Sequence, residues 1–275
     1  MRLLLSILSA LMIATSAHSQ TMGSGSDIVR AEYSIPGGGC KIVVELPSNT
    51  PSTVMGYITR YVKAQLTEFG SDRYPDFKPD IAPMAQSNQI IDAFCHGIAE
   101  RYAQAHNDMF VTPTEELKQN EEAMRIMRDW TVLIEIHLKA NTDDYVSFLA
   151  SMWEDVGGYN PTIWQVPTTI RKSDGLPVEN ILKRDREDHV QYTLRKLYME
   201  QHPGTTIFNG DENDQKLRFP VEEPWLAPDG LHLLYNPGEI FGLPHDTSEL
   251  VIPISDAMPC ISKESKILLI NNAKK

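Results

Sequence analysis

The clearest pattern in the sequence is an alternation of apolar and other residues along positions 130–139. Successive side chains of a strand point to opposite faces of a sheet, so this period of two predicts a strand with one buried face. A polar turn at 141–144 and an apolar stretch at 145–156 predict a returning strand. The pattern along residues 162–171 predicts a third strand. The alternating apolar residues are Trp130, Val132, Ile134, Ile136 and Leu138.

Three other segments carry apolar residues at helical spacing. In residues 52–69, 89–106 and 185–201 these positions recur every three or four residues, which places them on one face of a helix. Residues 29–46 read as two strands on either side of the glycine run 37–39. The pattern therefore mixes helices and strands in separate blocks.

The segment 225–254 predicts a β-hairpin followed by another apolar run. Pro228 presets φ for a turn, and Gly230 tolerates positive φ, so residues 225–226 can pair with residues 231–235. Taken together, these elements predict an α+β fold in which helices pack on one face of an antiparallel β-sheet, as one body or as two lobes.

Residues 1–19 have the features of a secretory signal peptide. Arg2 supplies a basic start, residues 3–14 are apolar, and Ala17 and Ser19 place small residues at the −3 and −1 positions. We expect cleavage before Gln20 and a periplasmic or secreted protein. The apolar run is shorter than the ~20 residues that a membrane span needs, so no span is expected.

The mature chain is strongly acidic. One of the 25 basic side chains lies in the signal, so 24 remain against 37 acidic ones, giving a formal net charge of −13. This charge opposes nucleic acid and anionic membrane surfaces and would steer a cationic partner toward the protein. The three cysteines, Cys40, Cys95 and Cys260, allow three disulfide pairings, and all three could equally be reduced and buried.

Residues 229–253 combine an Asp-Gly-Leu turn, an apolar strand ending in tyrosine, a proline, an acidic-aliphatic pair, a glycine loop and an Ile-Pro pair. The positions are Asp229, Gly230, Leu231, Tyr235, Pro237, Glu239, Ile240, Gly242, Ile252 and Pro253. This pattern resembles the C-terminal domain shared by RsiV-type anti-sigma factors and many envelope proteins of unknown function. Gly238 stands where that family often has a second tyrosine.

A second block extends the resemblance upstream. Its matching positions are Gly157, Gly158, Asp174, Gly175, Leu176 and Leu182, while Tyr159 and Asn160 replace an Ala-His pair. The resemblance implies an RsiV-C-terminal-like α+β domain at 130–262, with an N-terminal companion region at 28–125. It also implies a binding role, since one characterised activity in the family is recognition of lysozyme by an extracytoplasmic region.

The usual motifs of catalysis are missing from the sequence. It has no Gly-x-Ser-x-Gly elbow, no phosphate-binding glycine loop and no His-Glu-x-x-His, so no catalytic residue, cofactor or metal is predicted. His232 and His245 flank one loop, but solvent-facing hairpin histidines are favoured over a zinc site. The acidic run 211–214 is favoured as a solvated turn over a calcium site.

Aromatic side chains near turns are the remaining candidates for a binding site, because such rings stack on sugars and anchor protein interfaces. Tyr159 is the first choice, since it lies in a Gly-Gly turn, and Trp164 and Tyr235 follow. Trp153 and Trp225 are expected in the core.

The sequence therefore favours an exported, non-catalytic envelope protein. Its expected ligand is a cationic protein such as lysozyme, or peptidoglycan or another glycan. The alternative is an envelope hydrolase or deacetylase that acts on peptidoglycan or polysaccharide, since related domains accompany a polysaccharide deacetylase domain.

Overall fold

The computed structural model describes residues 28–35, 37–71, 85–111, 131–155, 161–204, 216–240 and 247–273. The following predicted features lie outside the described residues: the signal peptide at 1–19, the Gly157 and Gly158 turn with Tyr159, the acidic run 211–214, and His245.

The larger of two sheets has five strands in the order β1-β2-β3-β4-β5. The strands are β1 (Ile28–Ser34), β2 (Cys40–Pro47), β3 (Thr131–Asn141), β4 (Tyr145–Asp155) and β5 (Thr162–Arg171). Three of the four pairings are antiparallel, as predicted, but β2 and β3 run parallel. Parallel strands need a long crossover connection, and residues 48–130 separate β2 from β3 in the sequence.

Helices α1 (Ser52–Ser71) and α2 (Ser87–Val111) cover one face of this sheet. Their apolar stripes meet the inward residues of the strands, which confirms the helix-on-sheet prediction. Tyr61 of α1 stacks on Phe148 of β4, with ring centroids 5.2 Å apart. The fully buried residues of this core include Ile42, Ile58, Val62, Leu66, Cys95, Ile134, Ile136 and Phe148.

The second sheet has three strands in the order β6-β7-β8. These are β6 (Trp225–Ala227), β7 (Gly230–Tyr235) and β8 (Ser248–Pro253), all antiparallel. Around them lie α3 (Glu187–Gln201), α4 (Ile254–Ala257) and α5 (Lys263–Ala273), which share a second core. The α+β class is thus confirmed, with a sheet and helices in each half of the structure.

Strand β4 is buried on both faces, because the two halves meet there. Val146 and Phe148 point to the α1–α2 core, whereas Tyr145 and Leu149 point to the small sheet. A long apolar run without clean alternation is typical of a strand that is covered on both sides.

Two buried hydroxyls join the sheets. The Ser147 hydroxyl donates to the carbonyl of Leu226 at 2.7 Å, and the Leu226 amide donates to Thr169 Oγ1 at 2.9 Å. Ser147 and Thr169 also contact each other at 3.0 Å. Because β6 is short, these side chains satisfy backbone groups that would otherwise be buried without a partner. Within the described residues, no helix combines the length and apolar character that crossing a bilayer requires.

Candidate functional site

Trp164 is the predicted binding residue that the structure places at the surface. It lies near the start of β5, the last strand of the larger sheet, and its ring is 41% exposed. It is paired with Met152 of β4, on the sheet face that the helices cover. An indole this exposed on a rigid strand is positioned to contact a ligand.

Tyr235 does not share that surface. It is 2% exposed, its hydroxyl donates to the carbonyl of Arg218 at 3.0 Å, and its ring meets the edge of Tyr198. The expectation of an exposed Tyr235 is wrong because β7 is the middle strand of its sheet and α3 packs against it. Trp225 is buried, as predicted, and Trp153 is half-buried.

Asn236 ties the small sheet to the strand that carries Trp164. Its side-chain oxygen accepts from the Gln165 amide at 2.9 Å, and its side-chain nitrogen donates to the Gln165 carbonyl at 3.0 Å. The buried amide thus continues the hydrogen bonding of β5 as another strand would. Trp164 is consequently held beside the loop that follows β7.

That loop carries a carboxylate whose neighbours include two more. Glu239 donates its backbone amide to the carbonyl of Asn236 at 3.0 Å, and its Oε2 accepts from the Val221 amide at 3.0 Å. Val221 is 72% exposed. Burial, together with the charges of Glu239 and Glu68, raises the pKa of neighbouring Glu222. Three carboxylates therefore lie within electrostatic range of one another, near the loop that Asn236 joins to β5. We group them with the exposed indole of that strand and call the group the Trp164 face: Trp164, Val221, Glu68, Glu222 and Glu239.

Only part of the Trp164 face could be predicted from the sequence. Glu239 belongs to the acidic-aliphatic pair of the resemblance pattern, yet its partners could not be inferred. Glu68 and Glu222 lie more than 150 positions apart in the chain. Only the fold brings them within electrostatic range of each other.

His232 is the second site where charged groups converge. Its Nδ1 lies 2.6 Å from Oε1 of Glu249, and its Nε2 lies 3.0 Å from Oδ1 of Asp229. Its ring stacks on Trp225 and its side chain is only 12% exposed, so the expectation of a solvent-facing hairpin histidine is wrong. Ionised carboxylates only accept hydrogen bonds, so both contacts are hydrogen bonds when the ring is protonated, and the two carboxylates raise the pKa of His232 in favour of that form.

The double hydrogen bond decides what His232 can do. With both nitrogens protonated and engaged, the ring has no lone pair for a metal or for a substrate proton. Among the described residues, no group of three or more histidine, cysteine, aspartate and glutamate side chains is arranged to hold a metal. The His232 cluster is accordingly a structural ion pair that fixes the β6–β7 hairpin to β8.

The cysteines are free thiols in the two cores. Cys40, Cys95 and Cys260 are all buried, and none is joined to another. Burial raises the pKa of Cys40 to about 12, and burial also raises the pKa of Cys95 and of Cys260. Of the alternatives left open by the sequence, the structure shows the reduced and buried one.

The His232 cluster predicts a stability optimum in mildly acidic solution. Burial alone would lower the pKa of His232, but its two carboxylate partners raise it above the ordinary value. That contribution is complete below about pH 6.5 and is lost as pH rises through the folded-state pKa. His232 lowers the pKa of Glu249, and it offsets burial to lower that of Asp229. Their contribution is lost as pH falls below about 4.5.

The measurement is thermal unfolding of wild type and His232→Gln between pH 4 and pH 9. The difference in stability should be largest between about pH 4.5 and 6.5, and of order 1 kcal/mol because the carboxylates are half exposed. His189→Gln, at an exposed position of α3, is the matched control. A pH-independent difference would contradict the charged His232.

No protein-family model matches the sequence, and no curated protein matches it. Solved structures do resemble it. A member of the DUF3298 family from Bacteroides fragilis aligns over 91% of this chain and 97% of its own, with a TM-score of 0.59 and 16% identity. A DUF3298 family protein from Pseudomonas aeruginosa aligns over 89% and 97%, with a TM-score of 0.52 and 12% identity.

At these identities the likeness concerns the fold. The chain therefore has an α+β fold like that of proteins from DUF3298, a family defined by a domain of unknown function. The alignments span nearly the whole of each neighbour, so the likeness of fold extends over most of this chain and is not limited to a fragment.

Proposed function

We propose that this chain is an exported, non-catalytic binding protein of the cell envelope that holds a cationic protein partner against the Trp164 face. The observation that supports the proposal is an exposed indole on β5, together with three mutually close carboxylates near the loop that Asn236 hydrogen-bonds to that strand. The resemblance to the RsiV-type domain supports a lysozyme-like partner. The formal charge of −13 in the mature chain supports a basic one. We also propose that the chain consists of an N-terminal companion region, 28–125, and an RsiV-C-terminal-like domain, 130–262. Both ranges contribute strands to the larger sheet.

The two kinds of group on the Trp164 face have different tasks in binding. Tryptophan buries a large area with few rotatable bonds, so it is enriched among residues that dominate interface energies. The carboxylates at the rim raise the rate of association with a basic surface and make that rate sensitive to salt. A neutral glycan would use the indole but gain little from the carboxylates, so the acidic rim favours a protein partner.

Replacing the indole tests the proposal directly. Trp164→Ala should weaken the complex with lysozyme, used as a cationic test protein, by roughly thirtyfold, as expected for a tryptophan at the centre of an interface. Because the ring is 41% exposed, the melting temperature should change little. Isothermal titration calorimetry at low ionic strength, with thermal unfolding of each variant, makes the measurement.

The matched control is Leu176→Ala. Leu176 is 53% exposed and follows the far end of β5, roughly 25 Å along the chain from Trp164. Its substitution should leave lysozyme binding unchanged. Equal affinity of Trp164→Ala and wild type, or no complex with lysozyme at all, would reject the proposed surface. Release of soluble products from peptidoglycan would instead support the hydrolase or deacetylase alternative.

A further inference from the structure

Helix α5 presents two lysines and two isoleucines to solvent on one side. Each helical residue advances by about 100°, so Lys263, Lys266, Ile267 and Ile270 fall within one arc of about 100°. Ile267 is 52% exposed and Ile270 is 40% exposed. The opposite side of the helix packs into the core through Ser265, Leu268, Leu269 and Asn272. The arrangement is amphipathic in an unusual sense, because the exposed side is both basic and apolar.

The fold adds two more cations to that side. Leu182 forms a bridge with Ile261, and the Lys183 amide donates to the carbonyl of Cys260 at 2.9 Å. This pairing places Lys183 beside the start of α5, where its charge acts on Lys266. Arg186, at the end of the 3₁₀ turn Arg184–Arg186, is close enough to repel Lys266.

Exposed carboxylates lie on the same elements, but none that the structure describes forms an ion pair with these cations. Within the described part of the chain, no carboxylate lies within ion-pair distance of Lys183, Arg186 or Lys266. The acidic residues of the neighbouring elements are Asp185, Glu187, Asp188, Asp256 and Glu264, of which Glu264 pairs with Arg171 and Asp188 with Lys216. Like charges gathered without a counter-ion repel each other, and an external anion would relieve that repulsion.

We infer that this basic side of α5, consisting of Lys183, Arg186, Lys263, Lys266, Ile267 and Ile270, docks on an anionic phospholipid surface. The cations would contact phosphate head groups, and the two isoleucines would enter the boundary between head groups and acyl chains, as interfacial helices do. A soluble anion would satisfy the cations but would leave the isoleucines in water. The combination of charge and apolar area therefore selects a lipid surface as the occupant.

The net charge of the protein does not prevent such docking. Screening at physiological salt reduces interactions between exposed charges beyond about 8 Å, so carboxylates on distant parts of the protein have little effect on the cations that face the membrane. Each Lys or Arg near an anionic membrane increases binding roughly fivefold, which makes this a weak, reversible and salt-dependent attachment. The docking side meets the larger sheet through Arg171, at the opposite end of β5 from Trp164.

The test is co-sedimentation of the mature protein with vesicles. Binding should be measurable with phosphatidylcholine vesicles that contain phosphatidylglycerol, and should be lost with pure phosphatidylcholine or at high ionic strength. Lys183→Gln combined with Lys266→Gln should weaken binding by about 25-fold, because two cations are removed. Ile267→Ser combined with Ile270→Ser should weaken binding while leaving its salt dependence unchanged.

A control pair removes the same charge elsewhere. Lys41→Gln with Lys196→Gln changes two exposed lysines on β2 and α3, and should bind vesicles like wild type. An equal loss in this control would show that only net charge matters and would overturn the inference. Equal binding to both vesicle types would also overturn the inference. So would binding of inorganic phosphate by a protein that binds neither type of vesicle. Arg186→Gln, expected to weaken binding about fivefold, repeats the test with a single substitution.

Discussion

Gly230→Ala is expected to destabilise the protein by at least about 3 kcal/mol or to prevent folding. A Cβ at this position would lie 2.0 Å from the carbonyl oxygen of Ile252 and 2.9 Å from its carbonyl carbon. Gly230 faces Pro253 across the β7–β8 pairing, so the obstacle is backbone and cannot rotate away. Relief would require β7 and β8 to separate, which would open the core of the small sheet.

The comparison variant is Gly238→Ala, eight residues further on. Gly238 has a φ of +85° but nothing lies within 4 Å of the Cβ that would be added. Its substitution should cost only the strain of a left-handed residue, about 1 kcal/mol. Denaturant unfolding of both variants at neutral pH makes the measurement. Similar losses in the two would show that backbone conformation, and not the contact with Ile252, determines the cost at Gly230.

The same contact explains the Asp-Gly-Leu part of the sequence pattern. Gly230 was predicted from turn chemistry, and it does follow Pro228 and Asp229 in a tight turn. The stronger constraint comes from β8, which begins 18 residues later and passes directly over Gly230. Turn propensity is a local property that the sequence displays, whereas close approach of a distant strand is a tertiary one.

The long elements could be predicted because their patterns are local. Alternation along 130–139 predicted β3, and helical spacing along 52–69, 89–106 and 185–201 predicted α1, α2 and α3. The parallel pairing of β2 with β3 could not be predicted. Its partners, such as Ile42 and Ile134, lie about ninety positions apart, and nothing near either strand specifies the direction of the other.

The candidate sites were harder to predict, because their residues are decided by packing between elements. Trp164 and Tyr235 are both aromatic residues on strands, yet one lies at the margin of a sheet and the other beneath α3. The two partners of His232 come from a turn and from β8, so its cationic state has no local signature. The sequence shows where an aromatic ring or an imidazole stands in the chain. Whether that side chain is exposed or buried, and which groups it contacts, is determined by the packing of distant elements.

Asn236→Asp should cost about 2–4 kcal/mol at neutral pH. Asn236 is 3% exposed, and its amide nitrogen donates to the Gln165 carbonyl. An aspartate keeps the acceptor for the Gln165 amide but turns a second oxygen toward that carbonyl, which leaves a buried negative charge facing an acceptor. Both that repulsion and the loss of solvation disfavour the ionised form, so the pKa of the new carboxyl should be raised in the folded state.

The pH dependence separates this mechanism from a loss of packing. When the new carboxyl is protonated it can donate to Gln165 again, so stability relative to wild type should recover as pH falls through the raised pKa. Asn236→Leu has no side-chain group that ionises, so its loss of stability should be independent of pH. Because Asn236 anchors Gln165, the residue after Trp164 in β5, Asn236→Asp should also weaken lysozyme binding at neutral pH, and the difference in affinity from wild type should shrink in acid. Stability recovery without recovery of binding would show that the Trp164 face does not depend on this anchor.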